Sequence, residues 1–389
     1  MKKKVFLAFM AVAAIALVGC NNNDPELNKV KKIADYLYEY TAGDYGTQAP
    51  DYVLQDGKGR TPAFGCSAVR NGNYYGRNLD FDINEICEFI ITTPKNETRH
   101  ASIGVANSLF YTIDSEMIKG TLPDSILNYI PWLTMDGIND AGLVCNINVV
   151  NMADIKGNEH IHTNEGAPKI MVLNLVRALL DNCGSVEEAK KFILAHDIMP
   201  IPGISWDGHF MIADPNNTVI VEFTGGKTPE ECVHFVTQEK NIMTNLYNHM
   251  FHENEIELTK RFPMHACGME RYNILNDNYV IGNSMQGMWE LMKKVKYTQA
   301  YDENTKPFWV SEHIDDYPDG NITWTKEQLL SKPGAREKLE AYQTYAKTGQ
   351  YDRKDGLWFT AHNSVYDITN KTLWVTIREK YEKHYEFKL

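Results

Sequence analysis

Apolar positions in this chain recur with two periods, and the points where the period changes divide it. From Pro25 to Ala42, the residues Leu27, Val30, Ile33, Ala34 and Leu37 fall three and four apart, the spacing of one helical face. The chain then turns polar and glycine-rich from Gly43 to Pro62. From Cys66 onward strands dominate, and the run from Asp136 to Leu143 reads as a turn feeding a buried strand, Leu143 to Val150. A helix pair follows. Pro168 suits a first helical position, and that helix runs to about Asn182. Ser185-Val186-Glu187-Glu188 is a capping box that opens the second.

Further strands are predicted at Gly208–Ala213 and Thr218–Thr224, around an Asp-Pro-Asn-Asn turn, and at Cys232–Thr237 and Ile242–Asn245. Helices are predicted over Met269–Asn278, Ser284–Tyr297 and Thr325–Lys347, before strands return over Leu357–Asp367 and Thr372–Arg378. The second of these helices carries a stripe of Met285, Met288, Trp289 and Met292, which reads as core. Strands, then helices, then strands again predict sheets covered by helices in one α+β layered body.

The chain has 389 residues, 43% of them hydrophobic, enough to bury one large core or two ordinary ones. A net charge of −12 argues against a nucleic-acid partner, because phosphate binding needs a basic surface. Residues 1–19 have a basic start, an apolar run from Val5 to Val18 and small residues before a cysteine. That is a secretory leader, too short to be read as a spanning helix. Leu17-Val18-Gly19-Cys20 resembles the bacterial lipobox, so Cys20 is expected to carry a lipid anchor, with Asn21 to Asp24 as a tether. The expected location is the cell envelope of a Gram-negative-type bacterium, on the periplasmic face or the outer surface. The seven cysteines include no close CxxC pair and read mostly as core thiols rather than a disulfide framework. No cofactor or metal is expected. His160 and His162 share a strand face, but without a third ligand nearby they read as loop residues.

Candidate chemistry concentrates between Gly65 and Asp80. Asn71-Gly72 is a strong hairpin signal, because both positions of a type I′ turn need positive φ. Flanked by Arg70 and Asn73, that turn pairs Cys66 with Arg77, and a three-residue loop would bring Asn78 opposite instead. A cation opposite a thiol favours the thiolate, the form that attacks carbonyls. Asp80 has the other parity, and reaches the same site only if the strand bends or the chain begins there. Scission after Gly65 meets that condition. Cys66 then becomes N-terminal, its α-amine, with a reference pKa of about 8, serves as base for its own thiol, and Asp80 holds the amine. The predicted division is a leader over 1–19, a tether and helical small piece over 20–65, held to the body by its apolar face, and a catalytic domain over 66–389.

Gly76-Arg77-Asn78-Leu79-Asp80 behind an upstream cysteine resembles the choloylglycine hydrolase family, linear-amide hydrolases of the N-terminal-nucleophile fold. Other segments agree in the family's order: the turn from Asp136 to Leu143, the helix junction from Asn182 to Ala189, the strand from His209 to Asp214, Met243-Thr244-Asn245, and Gly268 to Tyr272. The resemblance spans roughly Cys66 to Asp367 and implies an αββα four-layer sandwich. It implies that Cys66 is nucleophile and, through its amine, general base, with Arg77 beside the thiol and Asp80 on the amine. It makes Asn245 an oxyanion donor and Arg271 the remaining polar member of the site. The second oxyanion donor is left between the side chains of Asn146 and Asn148, of which Asn148 is the candidate, and a backbone N–H, since the family position aligns with Val149.

The implied activity is hydrolysis of a small N-acyl amide, of bile-salt or fatty-acyl type, through an acyl-thioester and without a cofactor. The long stretch ahead of Cys66 is more like the acyltransferase and N-acylethanolamine or ceramide amidase branches. The alternatives are an acyltransferase of the same fold and a non-catalytic ligand-binding surface lipoprotein. Oligomeric state is left open, a homo-oligomer included.

Overall fold

Side chains that alternate inward and outward along the strands build two sheets, and the two sheets pack face to face. The computed structural model describes residues 27–49, 65–82, 87–108, 127–151, 157–201, 206–249, 268–297 and 358–389, with scattered positions between 336 and 348. The leader, Cys20 and most of the helix predicted over Thr325–Lys347 lie outside these residues, and the described positions of that helix are helical.

The larger sheet has nine strands: β1 (Val30–Ala34), β2 (Leu37–Thr41), β5 (Glu88–Thr93), β6 (Ser102–Asn107), β7 (Thr134–Asn139), β8 (Val144–Asn151), β11 (Trp206–Ala213), β12 (Thr218–Phe223) and β13 (Val233–Val236), in that spatial order. All neighbours are antiparallel except β2 and β5. The second sheet has six antiparallel strands in the order β14 (Asn241–Met243), β3 (Gly65–Asn71), β4 (Tyr74–Asp82), β15 (Trp358–Asp367), β16 (Thr372–Ile377) and β17 (Tyr385–Lys388). A short parallel pair, β9 (Lys169–Met171) and β10 (Asp197–Met199), stands apart from both.

Between the sheets lies a cluster drawn from both: Leu37, Ile90, Val105, Val144 and Met211 from one, Ala68, Tyr75, Tyr366 and Val375 from the other. Helices α1 (Leu175–Asn182) and α2 (Val186–Leu194) cover the outer face of the larger sheet, where Leu175, Leu179 and Ile193 meet Cys145, Ile147, Phe210 and Ile212. Helices α3 (Met269–Asn278) and α4 (Met285–Lys294) cover the outer face of the smaller one, where Leu275, Met288 and Met292 meet Val69, Ile242 and Val365. Each fully buried aliphatic side chain is worth about 1.5–3 kcal/mol, so these two faces account for the layering. The architecture is a helix–sheet–sheet–helix sandwich, and the methionine stripe of α4 is core.

Two local expectations need correction. The segment predicted as a helix over Pro25–Ala42 is the hairpin β1–β2, turned at Asp35-Tyr36 with Tyr36 at φ 65°. Its apolar residues fit a helical face, yet β2 carries Tyr38 and Tyr40, strand formers that pack in one cluster with Phe89 and Ile91 of the neighbouring β5, and Thr41, which pairs with Thr92. Tertiary pairing outweighs a three-four spacing made on one face only. Pro168 likewise does not start a helix; it precedes β9, and α1 begins only at Leu175. The predicted cap forms at Ser185, whose Oγ accepts from the Glu188 N–H, while Glu188 accepts from the N–H of Gly184, one residue before the cap, at 2.6 Å.

Candidate active site

The β3–β4 hairpin carries the candidate nucleophile, but in a different register from the one its Asn-Gly pair suggests. Asn71 pairs with Tyr74, so the two-residue turn is Gly72-Asn73, with Gly72 alone at positive φ (56°). Glycine at the first central position is the II′ preference. Distant partners fix this choice: Asn73 donates to Asp367 Oδ1 (2.6 Å) and accepts from the Thr369 N–H, while Asn71 donates to the Tyr279 carbonyl. Cys66 therefore faces Leu79, and Arg77 faces Ala68. The shift is two residues, which preserves faces, so Arg77 still reaches the Cys66 sulfur diagonally, with Nη2 4.0 Å from Sγ.

Four segments converge on Cys66. Its N–H donates to Asn245 Oδ1 at 2.7 Å, and its carbonyl accepts from Arg271 Nη1. Arg77 donates to the Ile147 carbonyl through the same Nη2 that faces the sulfur. The backbone N–H of Val149 also approaches the thiol. Burial pushes the Cys66 thiol up; Asp80 adds to the rise, and Arg77, Arg271 and the Val149 N–H oppose it. In the continuous chain the sulfur is thus kept neutral, contrary to the expectation from Arg77 alone.

Asp80 lies on the other face of β4, as parity requires, and its neighbour there is the Cα of Gly65, opposite it in the ladder. Its Oδ1 accepts from Thr360 Oγ1 at 2.7 Å and its Oδ2 from Arg271 at 3.2 Å. Burial nevertheless raises its carboxyl above the usual range, against Arg271, Thr360 and Arg77. Strand β4 pairs with β3 without a break here, and the irregularity is in its other neighbour, where an extra residue, Ala361, sits between Thr360 and His362 opposite Asp80 and Leu79.

Asn245 sits on the loop after β14. Its Nδ2 donates to the Val149 carbonyl (2.8 Å), and its Oδ1 also accepts from Arg271 Nη2 (2.6 Å). The loop is clamped from behind. The Thr244 carbonyl is 2.7 Å from His209 Nε2, and Glu222 accepts from the N–H groups of Asn248 and His249. Asn148 belongs to this support and not to the cysteine. Its amide donates to the Met243 and Thr244 carbonyls, both at 3.2 Å, and its oxygen accepts from Asn146. It is committed to carrying the loop, which corrects its reading as an oxyanion donor. Gly268, at the start of α3, packs on the same loop and brings Arg271 to it.

Five of the sequence-derived residues, Cys66, Arg77, Asp80, Asn245 and Arg271, are thus joined by direct contacts. Asn148 stands one step behind them, and Cys20 lies outside the described residues. The sequence reading did not single out Thr360, His209 and Glu222 for the site; buried Glu and His on strands were the available signal.

A family model described as acyl-coenzyme A:6-aminopenicillanic acid acyl-transferase matches residues 68–297. Among solved structures, the conjugated bile acid hydrolase from Clostridium perfringens is 14% identical with a TM-score of 0.42, over 84% of this chain and 92% of that one. Penicillin V acylase from Agrobacterium tumefaciens is 12% identical with a TM-score of 0.38, over 81% of this chain and 83% of that one. No curated protein matches the chain.

Proposed function

Because the chain belongs to the acyl-coenzyme A:6-aminopenicillanic acid acyl-transferase family, we propose that it cuts itself after Gly65 and then hydrolyses the linear amide bond of an N-acyl compound through a Cys66 acyl-thioester. The observation that carries this reading is the threefold hold on one residue. Cys66 is gripped at its nitrogen by Asn245, at its carbonyl by Arg271 and at its sulfur by Arg77, while Asp80 packs beside the residue before it.

In the self-cleavage, Cys66 Sγ attacks the Gly65 carbonyl carbon and the acyl group moves from nitrogen to sulfur. Water then releases the Gly65 carboxylate and frees the Cys66 amine and thiol. In turnover the amine takes the thiol proton and the thiolate attacks the substrate carbonyl. Asn245 Nδ2 and the Val149 N–H bind the oxyanion. The C–N bond breaks as the ammonium returns its proton to the leaving nitrogen, and water, deprotonated by the same amine, resolves the thioester to a carboxylic acid. Arg77 stabilises charge on sulfur, and Asp80 with Asn245 Oδ1 orients the amine. The lipobox supports tethering to the cell envelope through lipid on Cys20.

The family's own description favours a second reading, in which an amine takes the acyl group in place of water. One experiment tests the proposal and separates the two. Purified protein is analysed by mass spectrometry for a new N-terminus at Cys66, then given a panel of acyl amides with and without acceptor amines. Free acid plus free amine is the expected product, exchange of the amine supports transfer, and turnover by a chain still continuous at 65–66 defeats the mechanism. Cys66→Ala should stay uncut.

A further inference from the structure

Behind Arg77, on the side away from the sulfur, a line of buried charge runs between the two sheets, hydrogen-bonded as far as His362 and continued to Glu88 by ion-pair distance alone. Arg77 Nη1 is 3.1 Å from Asp136 Oδ2 and 2.7 Å from His362 Nε2, and those two atoms are 2.8 Å apart. His362 Nδ1 lies 3.1 Å from Glu88 Oε2. Glu88 is tied off by Asn107, which donates to Oε1 at 2.7 Å, and Asp136 by Tyr366, whose hydroxyl donates to Oδ1 at 2.5 Å. All four charged or titratable members are 0–3% exposed.

The order along the line alternates: guanidinium, carboxylate, imidazole, carboxylate. Arg77 Nη1 has a second hydrogen to give to a bare His362 Nε2, but that sets the ring lone pair against a carboxylate oxygen at 2.8 Å. The pattern that fits the triangle therefore has both nitrogens donating to Asp136 Oδ2. That pattern requires a proton on Nε2, and the proximity of Glu88 to Nδ1 favours a second. The groups facing the imidazole are Arg77 and Asp80 from β4, Glu88 from β5, Asp136 from β7 and, through Asp136, Tyr366 on β15 itself. Burial works to lower the His362 pKa, but Glu88 and Asp136 outweigh it and hold the imidazole above its ordinary value.

We propose that His362, held between Glu88 and Asp136, is a positioning residue for the chemistry at Cys66: it fixes the Arg77 guanidinium against the sulfur and adds a buried cation behind Arg77 and Arg271 to the field that favours the thiolate. This rests on the reading of Cys66 as nucleophile. His362 touches neither sulfur nor oxyanion site and acts only through Arg77. Without the imidazolium, Arg77 keeps Asp136 and the Ile147 carbonyl but loses the neighbour that closes the triangle, and the thiolate loses a stabilising charge.

The test follows the alkylation of Cys66 by iodoacetamide, read on the peptide that carries it, from neutral to alkaline pH. His362→Gln is compared with the unmodified sequence in protein with unchanged circular dichroism. The expected result is a profile displaced to higher pH by about one unit, which slows alkylation at neutral pH about tenfold. In the same protein kcat on an acyl amide falls while KM holds. Superimposable profiles in folded His362→Gln overturn the proposal. Should that variant not fold, Asp136→Asn carries the test: it keeps the shape, removes the anion the two cations share, and must also displace the profile. Turnover is scored apart, so a displaced thiol profile in a protein that hydrolyses no acyl amide supports the positioning role and defeats the amidase reading.

Discussion

The carboxylate of Asp80 packs so tightly on Gly65 that a Cβ built there would sit 2.8 Å from Asp80 Oδ2 and 2.9 Å from Asp80 Cβ. Neither atom is free to retreat, since the carboxylate is held by Thr360 and Arg271. Gly65→Ala should therefore force the strand away from Asp80 at the bond proposed to break. We expect a loss of about 1–3 kcal/mol in stability, as for overpacking elsewhere, and a slower cut. Denaturant melts and the time course of the Cys66 N-terminus check both. Wild-type processing of Gly65→Ala would mean that contact with Asp80 plays no part in the cut.

Asn245 both accepts from the Cys66 N–H and offers Nδ2 beside Val149. Asn245→Ala is expected to lower kcat by ~10²–10³, the typical value of a side-chain oxyanion donor. It also strips an acceptor from buried Arg271, at about 1–3 kcal/mol of stability. Steady-state kinetics on processed protein decide the first point, and undiminished kcat removes Asn245 from the oxyanion site.

Gly268 has no room for a side chain. A Cβ there would meet the Thr244 side chain inside contact distance and the Asn245 nitrogen at 2.7 Å. Gly268→Ala should displace the Thr244–Asn245 loop and reduce turnover without touching the sulfur. Cys66 alkylation in the folded variant should stay close to wild type while kcat drops.

The buried line of charge also predicts how stability follows pH. His362 titrates above its ordinary value in the folded protein, so its contribution is full below about pH 6.5 and is lost as pH rises through the folded value. For Asp136, burial alone would raise the carboxyl, but His362 and Arg77 outweigh it and hold it below 3.8. Its contribution is present above that pH and lost as pH falls through the lower, folded value. Melts in denaturant across this range should therefore show the advantage of wild type over His362→Gln narrowing toward alkaline pH. A constant difference would contradict the assignment.

How much of this was legible in the sequence differs by scale. The hairpin, the helix pair with its Ser185 cap, and the strands around Asp214 are local, and local chemistry marks them. The hairpin register was not, because Asn73 and Asn71 choose it through Asp367, Thr369 and Tyr279, partners some two hundred residues away or more. That error still left Arg77 and Cys66 in contact, because pleat parity survives a shift of two. The hairpin β1–β2 was hidden for the same reason: its strand character comes from the neighbour it pairs with. Asn148 and Val149 are adjacent in sequence, and only the facing of β8 tells which one turns its group to the sulfur. His362 carries no local sign at all.

Strand β2 lies in the interior of the nine-stranded sheet, with Leu37 against Glu88 and the Tyr36 carbonyl accepting from the Glu88 N–H at 2.9 Å. Scission after Gly65 would therefore leave one sheet woven from two polypeptides. In the intact chain β2 meets β5 by loop closure, whose cost grows only slowly with length. In the matured protein the same meeting is a bimolecular collision, and renaturation becomes second order, slower at every dilution. Maturation would act as a ratchet: the protein learns its fold as one chain, and once cut and denatured it no longer carries the whole instruction in either piece.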